Sequence, residues 1–301
     1  MAAMNDRRTM VWFLLIAFAI SWALFLVPLA FGAPGSSAYQ SVALIAWSAA
    51  MWGPGLAALI VTKRATGESL RRLHLSRLGP RLPYLWAWLV PVALSIVAGL
   101  FTVLLGAGRL DLTFPFFRQA LAQTPGGGSV PIGLLVAAQA GFALTLAPLI
   151  NIALTMGEEL GWRGFLLPAL LPLGQWRAIL LSGAIWGIWH APAIAQGHNY
   201  PGQPVLGILM MIVFCLLAGT VFSWLYLRTG SPWAPALAHG SLNATAGLPI
   251  LFLATGVDMN IGGTIASPIG WIGMALFVAW LAWSRRVPVK EASSALASSA
   301  G

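Results

Sequence analysis

Glu158 and Glu159 stand side by side in NIALTMGEELGWRGFLLPALLPL, a stretch whose only other charge is Arg163. The remaining acidic residues, Asp6, Glu68, Asp111, Asp258 and Glu291, fall in loops or tails, where a carboxylate is simply solvated. A carboxylate pair amid apolar sequence is a different matter. Residues 132–156 hold eleven Leu, Ile, Val or Phe, worth roughly 3 to 7 kcal/mol for insertion into a bilayer, and an ionisable residue at a helix centre costs about 2.5 to 3.5 kcal/mol on the same scale. Two central carboxylates consume that gain unless they sit near the membrane surface, are paired, are protonated or face a wet cavity. Helical spacing sorts the two. Glu159 and Arg163 are i and i+4 with the acid first, the orientation that favours a local ion pair, whereas Glu158 lies about 100° round the helix and has no such partner. The expectation is a supporting role for Glu159 and Arg163, with Glu158 left for proton transfer. The alternative is an interfacial charge cluster that closes a helix.

The histidines add to this. His74 (RRLHLSR) and His198 (QGHNYPG) lie in polar loops and are expected to be solvated, whereas His190 (AIWGIWHAPAI) and His239 (PALAHGSLNATAG) lie inside apolar runs. His190 falls about 12 residues, or roughly 18 Å, into its run, and His239 about six residues, or roughly 9 Å. Trp186 and His190 share a helix face at i, i+4, as do His239 and Asn243. A lone intramembrane histidine is often a hydrogen-bonded packing residue. Two histidines, an asparagine and a carboxylate pair would each need a buried partner separately, so one shared site is the simpler reading.

The elements that must hold such a site are membrane spans. The 301 residues are 59% apolar and 8% charged, numbers foreign to a soluble domain. Eight windows of about 20 or more residues free of Asp, Glu, Lys and Arg occur, at 11–31, 38–62, 82–108, 130–157, 178–197, 205–227, 233–257 and 259–284. Spans of this composition must be helices, because lipid leaves no unpaired backbone group satisfied, and Pro54, Pro91 and Pro148 predict kinks. The first window exceeds a signal-peptide core and lacks a convincing cleavage site, so it reads as a retained span. The expectation is an all-α polytopic protein of eight transmembrane helices, with a single domain over residues 1–290 and a disordered tail over 291–301. Fourteen of the 16 Lys and Arg fall on the N-terminal side of that topology, and only Arg109 and Arg118 on the other. Both termini are therefore expected in the cytoplasm.

Composition also excludes. The formal charge of +9 is dispersed between apolar runs with no continuous basic face, which argues against nucleic acid and for a bilayer with anionic headgroups as the partner. Cys215, the single cysteine, has no internal disulfide partner and reads as a small hydrophobe. The TPGGGS stretch from Thr124 lacks the lysine and preceding strand of a phosphate loop and reads as an outer loop.

Glu158-Glu159-Leu-Gly-Trp-Arg163, Trp186-Gly-Ile-Trp-His190 and His239-Gly-Ser-Leu-Asn243, in this order and in separate spans, resemble the motif set of the CAAX protease and bacteriocin-processing enzymes. These are also called CPBP or ABI proteins, and their eukaryotic relatives are the type II CAAX prenyl endopeptidases. The resemblance covers residues 130–255; its one departure is Trp186, where the family pattern more often has Phe, and little consequence is expected of that exchange between bulky aromatics. It implies an eight-helix membrane protease with a cavity open toward the cytoplasm and membrane, acting on a peptide or lipidated-protein substrate. Glu158 and His190 would hold and activate water, and His239 and Asn243 would donate to the oxyanion, with Glu159, Arg163 and Trp186 in support. A zinc version would use Glu158, His190 and His239 as ligands with one position for water; the absence of an H-E-x-x-H motif favours the metal-free version, with no cofactor. Two other functions compete: an ion or solute transporter, and a non-catalytic scaffold or immunity protein of the same fold. The absence of organelle signals points to a prokaryotic plasma membrane.

Overall fold

The computed structural model describes residues 7–65, 69–122 and 131–289. The expected outer loop from Thr124, the tail over 291–301, and the acids Asp6, Glu68 and Glu291 lie outside the described residues. Within them the chain is helical, with one isolated bridge between Leu110 and Leu253 and no strand.

Each apolar window contains helix, but the backbone divides them unequally. The first holds α1 (Arg7–Leu26), and the second holds α2 (Ser37–Ala50) and α3 (Gly53–Ile60). The third is α4 (Leu82–Leu104), followed by a short α5 (Pro115–Ala122). The fourth is split into α6 (Ile132–Leu144) and α7 (Leu146–Gly161), continued by a π-helical turn (Trp162–Leu166) and α8 (Leu167–Leu170). Then come α9 (Gln175–Trp189), α10 (Ala191–Ala195), α11 (Leu206–Thr229), α12 (Trp233–Thr245) and α13 (Pro268–Trp283).

Four helical stretches, Arg7–Ala30, Ser37–Arg64, Leu82–Leu104 and Leu206–Thr229, are long and apolar enough to cross a bilayer, and the bent pair Ile132–Leu144 and Leu146–Leu173 makes a fifth. The chain is an integral membrane protein. The other three windows overshoot their helices. At about 1.5 Å per residue, the 15 residues of α9 and the 13 of α12 fall short of the roughly 30 Å hydrocarbon core. Window five runs past the turn at His190 and Pro192, window seven past the end of α12 into a 3₁₀ turn (Leu248–Phe252), and window eight begins before Ser267 caps α13. Hydropathy scores composition and is blind to where a chain turns.

The three prolines behave differently. Pro91 is carried inside α4, and Pro54 sits in the first turn of α3 after the break at Met51 and Trp52. Pro148 has no N–H to give the Leu144 carbonyl four residues earlier. The helix breaks at Thr145 with a 48° bend, and the Trp88 indole on α4 donates to that carbonyl at 2.9 Å.

Around α7 the packing depends on glycine. A Cβ at Gly157 would lie 2.7 Å from the Met51 carbonyl and the Trp52 Cα, and one at Gly161 2.6 Å from the Pro54 backbone. Those two positions, i and i+4, flank Glu158 and Glu159 and press that turn against α3. On another face of α7, a Cβ at Gly240 of α12 would come 2.6 Å from the Pro148 carbonyl, and Thr155 donates across to the Ala236 carbonyl at 2.8 Å. Gly183 and Gly187 of α9 let it close on the Cys215 and Ile212 backbone of α11. Small residues that admit backbone contact are how helices associate where lipid supplies no hydrophobic drive.

His74 departs from its expected solvation. It ends a turn in the left-handed conformation, is half-buried, and its Nδ1 lies 3.1 Å from the hydroxyl of Tyr226, a buried residue near the end of α11. Burial first, then the charges of Arg77 and Arg72, push this imidazole below its usual range, so it meets Tyr226 as a neutral ring. His198 is exposed, with its ring against Trp47.

The α3–α7 contact is tested by Gly157→Ala. The overpacked Cβ should cost about 1 to 3 kcal/mol, read as a lowered unfolding temperature in detergent. Gly141→Ala on α6, where a Cβ meets nothing within 4 Å, should leave stability unchanged or slightly raised. Equal stability of the two variants would contradict the close approach.

Candidate active site

Four helical elements deliver polar groups to one buried place. The last turn of α7 supplies Glu158 and Glu159, the π-helical turn Arg163, α9 Trp186 and His190, and α12 His239. Glu159 and Arg163 are fully buried, and Glu158, Trp186 and His239 nearly so.

The expected pair forms: Arg163 Nη1 donates to Glu159 Oε1 at 2.8 Å. The same oxygen also accepts from His239 Nδ1 at 2.9 Å, a contact 80 residues away in sequence. One carboxylate oxygen thus ties α12 to the end of α7. The rest of the guanidinium turns to ring faces, with Cζ 4.7 Å from the Trp186 centroid and 5.3 Å from that of Phe222. Arg163 Nε and Nη2 have no hydrogen-bond partner among the described residues, and a delocalised cation over aromatic faces is a stable arrangement in such a place. Gly219 of α11 makes the room, since a Cβ there would lie 3.1 Å from Nη2.

Glu158 is not without a partner, as spacing suggested. The Trp186 indole N–H donates to its Oε2 at 2.6 Å. Phenylalanine in place of Trp186 would offer no such donor, a difference that the comparison of bulk in the sequence does not register. Helical geometry on a single segment could not reveal this contact, because its partners are 28 residues apart on different helices.

His190 lies at the end of α9, as its C-cap and half-buried, rather than in mid-helix. Its Nδ1 is 2.9 Å from the Trp186 carbonyl. A carbonyl accepts only, so Nδ1 carries the proton and Nε2 a lone pair. The same argument places a proton on Nδ1 of His239 facing the Glu159 carboxylate. Both imidazole rings border the Trp186 ring, with centroids at 5.6 Å for His190 and 5.3 Å for His239. Phe222, which the sequence reading did not single out, stacks on His239 at 5.3 Å. Cys215 is buried as expected, with Sγ 3.9 Å from His190 Nδ1. Asn243, one turn beyond His239, is exposed and makes no hydrogen bond to the described site.

The zinc version asks Glu158, His190 and His239 to share one ion. Among the described residues, no three His, Cys, Asp or Glu side chains form a group able to hold a metal. The observed contacts use one atom of each residue, Glu158 Oε2 with an indole and Nδ1 of each imidazole with an acceptor. No chemical step is derived through a metal ion.

Residues 139–245 match a family model described as type II CAAX prenyl endopeptidase Rce1-like, a stretch that contains every residue of the site. CAAX prenyl protease 2 of Methanococcus maripaludis is similar at 28% identity over 94 residues, covering 29% of this chain and 35% of the relative. The chain spans about a third of the length of the curated relative it matches. Both findings support the similarity to CAAX-type membrane proteases that the motifs carry.

Removing one partner of a buried ion pair strands the other. Arg163→Met should destabilise the fold by about 3 to 5 kcal/mol, seen as a lowered unfolding temperature, and Glu159→Gln combined with it should cost less than the sum of the two single changes. Additive losses would contradict the pairing.

Proposed function

We propose that this chain is a membrane endopeptidase that hydrolyses peptide bonds of membrane-associated or lipidated peptides with a water activated by Glu158 and His190. The reading proceeds from the similarity to type II CAAX prenyl endopeptidases over residues 139–245. The observation that carries it is the gathering of Glu158, His190 and His239 round the one indole of Trp186.

The chemistry follows from the proton positions. Glu158 Oε1 has no protein partner among the described residues, and His190 Nε2 holds a lone pair. A water bound between them passes one proton to the Glu158 carboxylate as its oxygen attacks the scissile carbonyl. The tetrahedral oxyanion is met by His239 Nε2–H and the Asn243 carboxamide. Because Nδ1–H of His239 already faces Glu159, donation from Nε2 requires the imidazolium, with the Glu159 carboxylate as its partner. Collapse of the intermediate breaks the C–N bond, and the proton on Glu158 goes to the leaving amine. The Asn243 role is carried by its spacing from His239 alone.

In this reading the eight apolar windows are eight spans of one domain over residues 1–290. α9, α12 and α13 would be short spans whose ends open the site to the cytoplasmic leaflet. Both termini lie in the cytoplasm of a prokaryotic plasma membrane, and the basic loops face anionic headgroups. The similarity to CAAX prenyl proteases favours a prenylated C-terminal CAAX peptide as substrate.

Purified protein in nanodiscs should cleave a fluorogenic peptide ending in a farnesylated CAAX sequence. Glu158→Gln should lose about a hundred-fold or more in kcat with its unfolding temperature unchanged. In the metal-free reading, activity should survive exhaustive chelation. Normal turnover by Glu158→Gln contradicts the assignment, and a folded wild type inert on prenylated and unprenylated peptides alike would favour a scaffold or a transporter.

A further inference from the structure

We infer that Trp186 is a positioning residue for Glu158, its indole N–H fixing which carboxylate oxygen is presented to water. The inference rests on the reading of Glu158 as the base. It starts from the 2.6 Å bond between Trp186 Nε1 and Glu158 Oε2, a donor meeting an anion where both side chains are almost fully buried. Charge-assisted bonds of this kind are the strong ones.

The donor is itself held. The Arg163 guanidinium lies over the Trp186 ring at 4.7 Å, Phe222 packs at 5.8 Å, and His239 meets it edge to face at 5.3 Å. The backbone carbonyl of the same residue accepts from His190 Nδ1 at 2.9 Å. Trp186 therefore sets both halves of the water-activating pair: its carbonyl fixes the tautomer that leaves Nε2 of His190 as an acceptor, and its indole fixes the carboxylate of Glu158. The first function belongs to the backbone and would survive a change of side chain. The second needs the N–H. Without it Glu158 is free to rotate about its terminal torsion, a soft two-fold one, and the reactive oxygen is no longer defined.

Trp186→Phe keeps an aromatic ring beside Arg163, Phe222 and His239 and deletes the donor, together with part of the buried ring volume. It should lower kcat of the folded fraction by about tenfold or more, with KM unchanged and some loss of unfolding temperature from the smaller ring. A residue that served packing alone would lower stability and leave kcat of the folded fraction intact. A second readout needs no activity. Among the 15 tryptophans, the indole ¹H–¹⁵N cross-peak absent from Trp186→Phe belongs to Trp186, and neighbour-specific labelling identifies it if that variant fails to fold. In wild type it should lie downfield, and Glu158→Gln, which replaces the anion with a neutral acceptor, should move it upfield. An unmoved peak, or wild-type kcat in Trp186→Phe, overturns the inference while a dead Glu158→Gln leaves the base intact. Full hydrolysis by Glu158→Gln overturns the base assignment itself.

Discussion

A carboxylate with no exposed surface must be neutralised where it stands, and Glu159 is neutralised from two directions. Its Oε1 accepts from Arg163 at 2.8 Å and from His239 at 2.9 Å, so a single oxygen ties α12 to the end of α7. Removing charge from water costs several kcal/mol per ion even after relaxation, which makes this contact a demand on the rest of the chain. Gly157, Gly161, Gly240 and Gly219 are the response. Each gives up a side chain so that backbone or guanidinium can come close enough for the charges to meet, and the stretches of α3, α7, α11 and α12 that carry or face these glycines are the ones that enclose the site.

The division of labour between the adjacent glutamates follows from that demand. Glu159 is fully buried, its Oε1 accepting two hydrogen bonds and its Oε2 without a partner among the described residues. Glu158, one position earlier, takes a single indole donor. Side chains about 100° apart on one helix turn thus enter different surroundings, one bound by Arg163 and His239 and the other by a single indole. Trp186 joins the two, since its ring face rests on Arg163 and its edge reaches Glu158.

What the sequence made legible was local. The Glu159–Arg163 pair is a matter of i, i+4 geometry and needs no tertiary knowledge, and the membrane character of the chain is a matter of composition. The Trp186–Glu158 bond joins two helices, and reading tryptophan and phenylalanine as alike bulky aromatics passes over the indole N–H. His190 was expected mid-helix because a hydropathy window continues through Pro192, whereas the backbone turns there. His74 was expected in solvent because its neighbours are basic; its partner Tyr226 lies 152 residues away. The short α9 and α12 have the same origin, because apolar loops such as 246–257 score like helix while bending like a loop.

The contact on which the arrangement depends can be observed without turnover. In protein labelled with ¹⁵N-histidine, of which there are four, the His239 Nδ1–H proton should resonate far downfield, as expected for a donor to a buried carboxylate. It should move upfield in Glu159→Gln and stay in place in Glu158→Gln. A His239 resonance indifferent to Glu159→Gln, or one that responds to Glu158→Gln instead, would mean that the two carboxylates have been assigned the wrong roles.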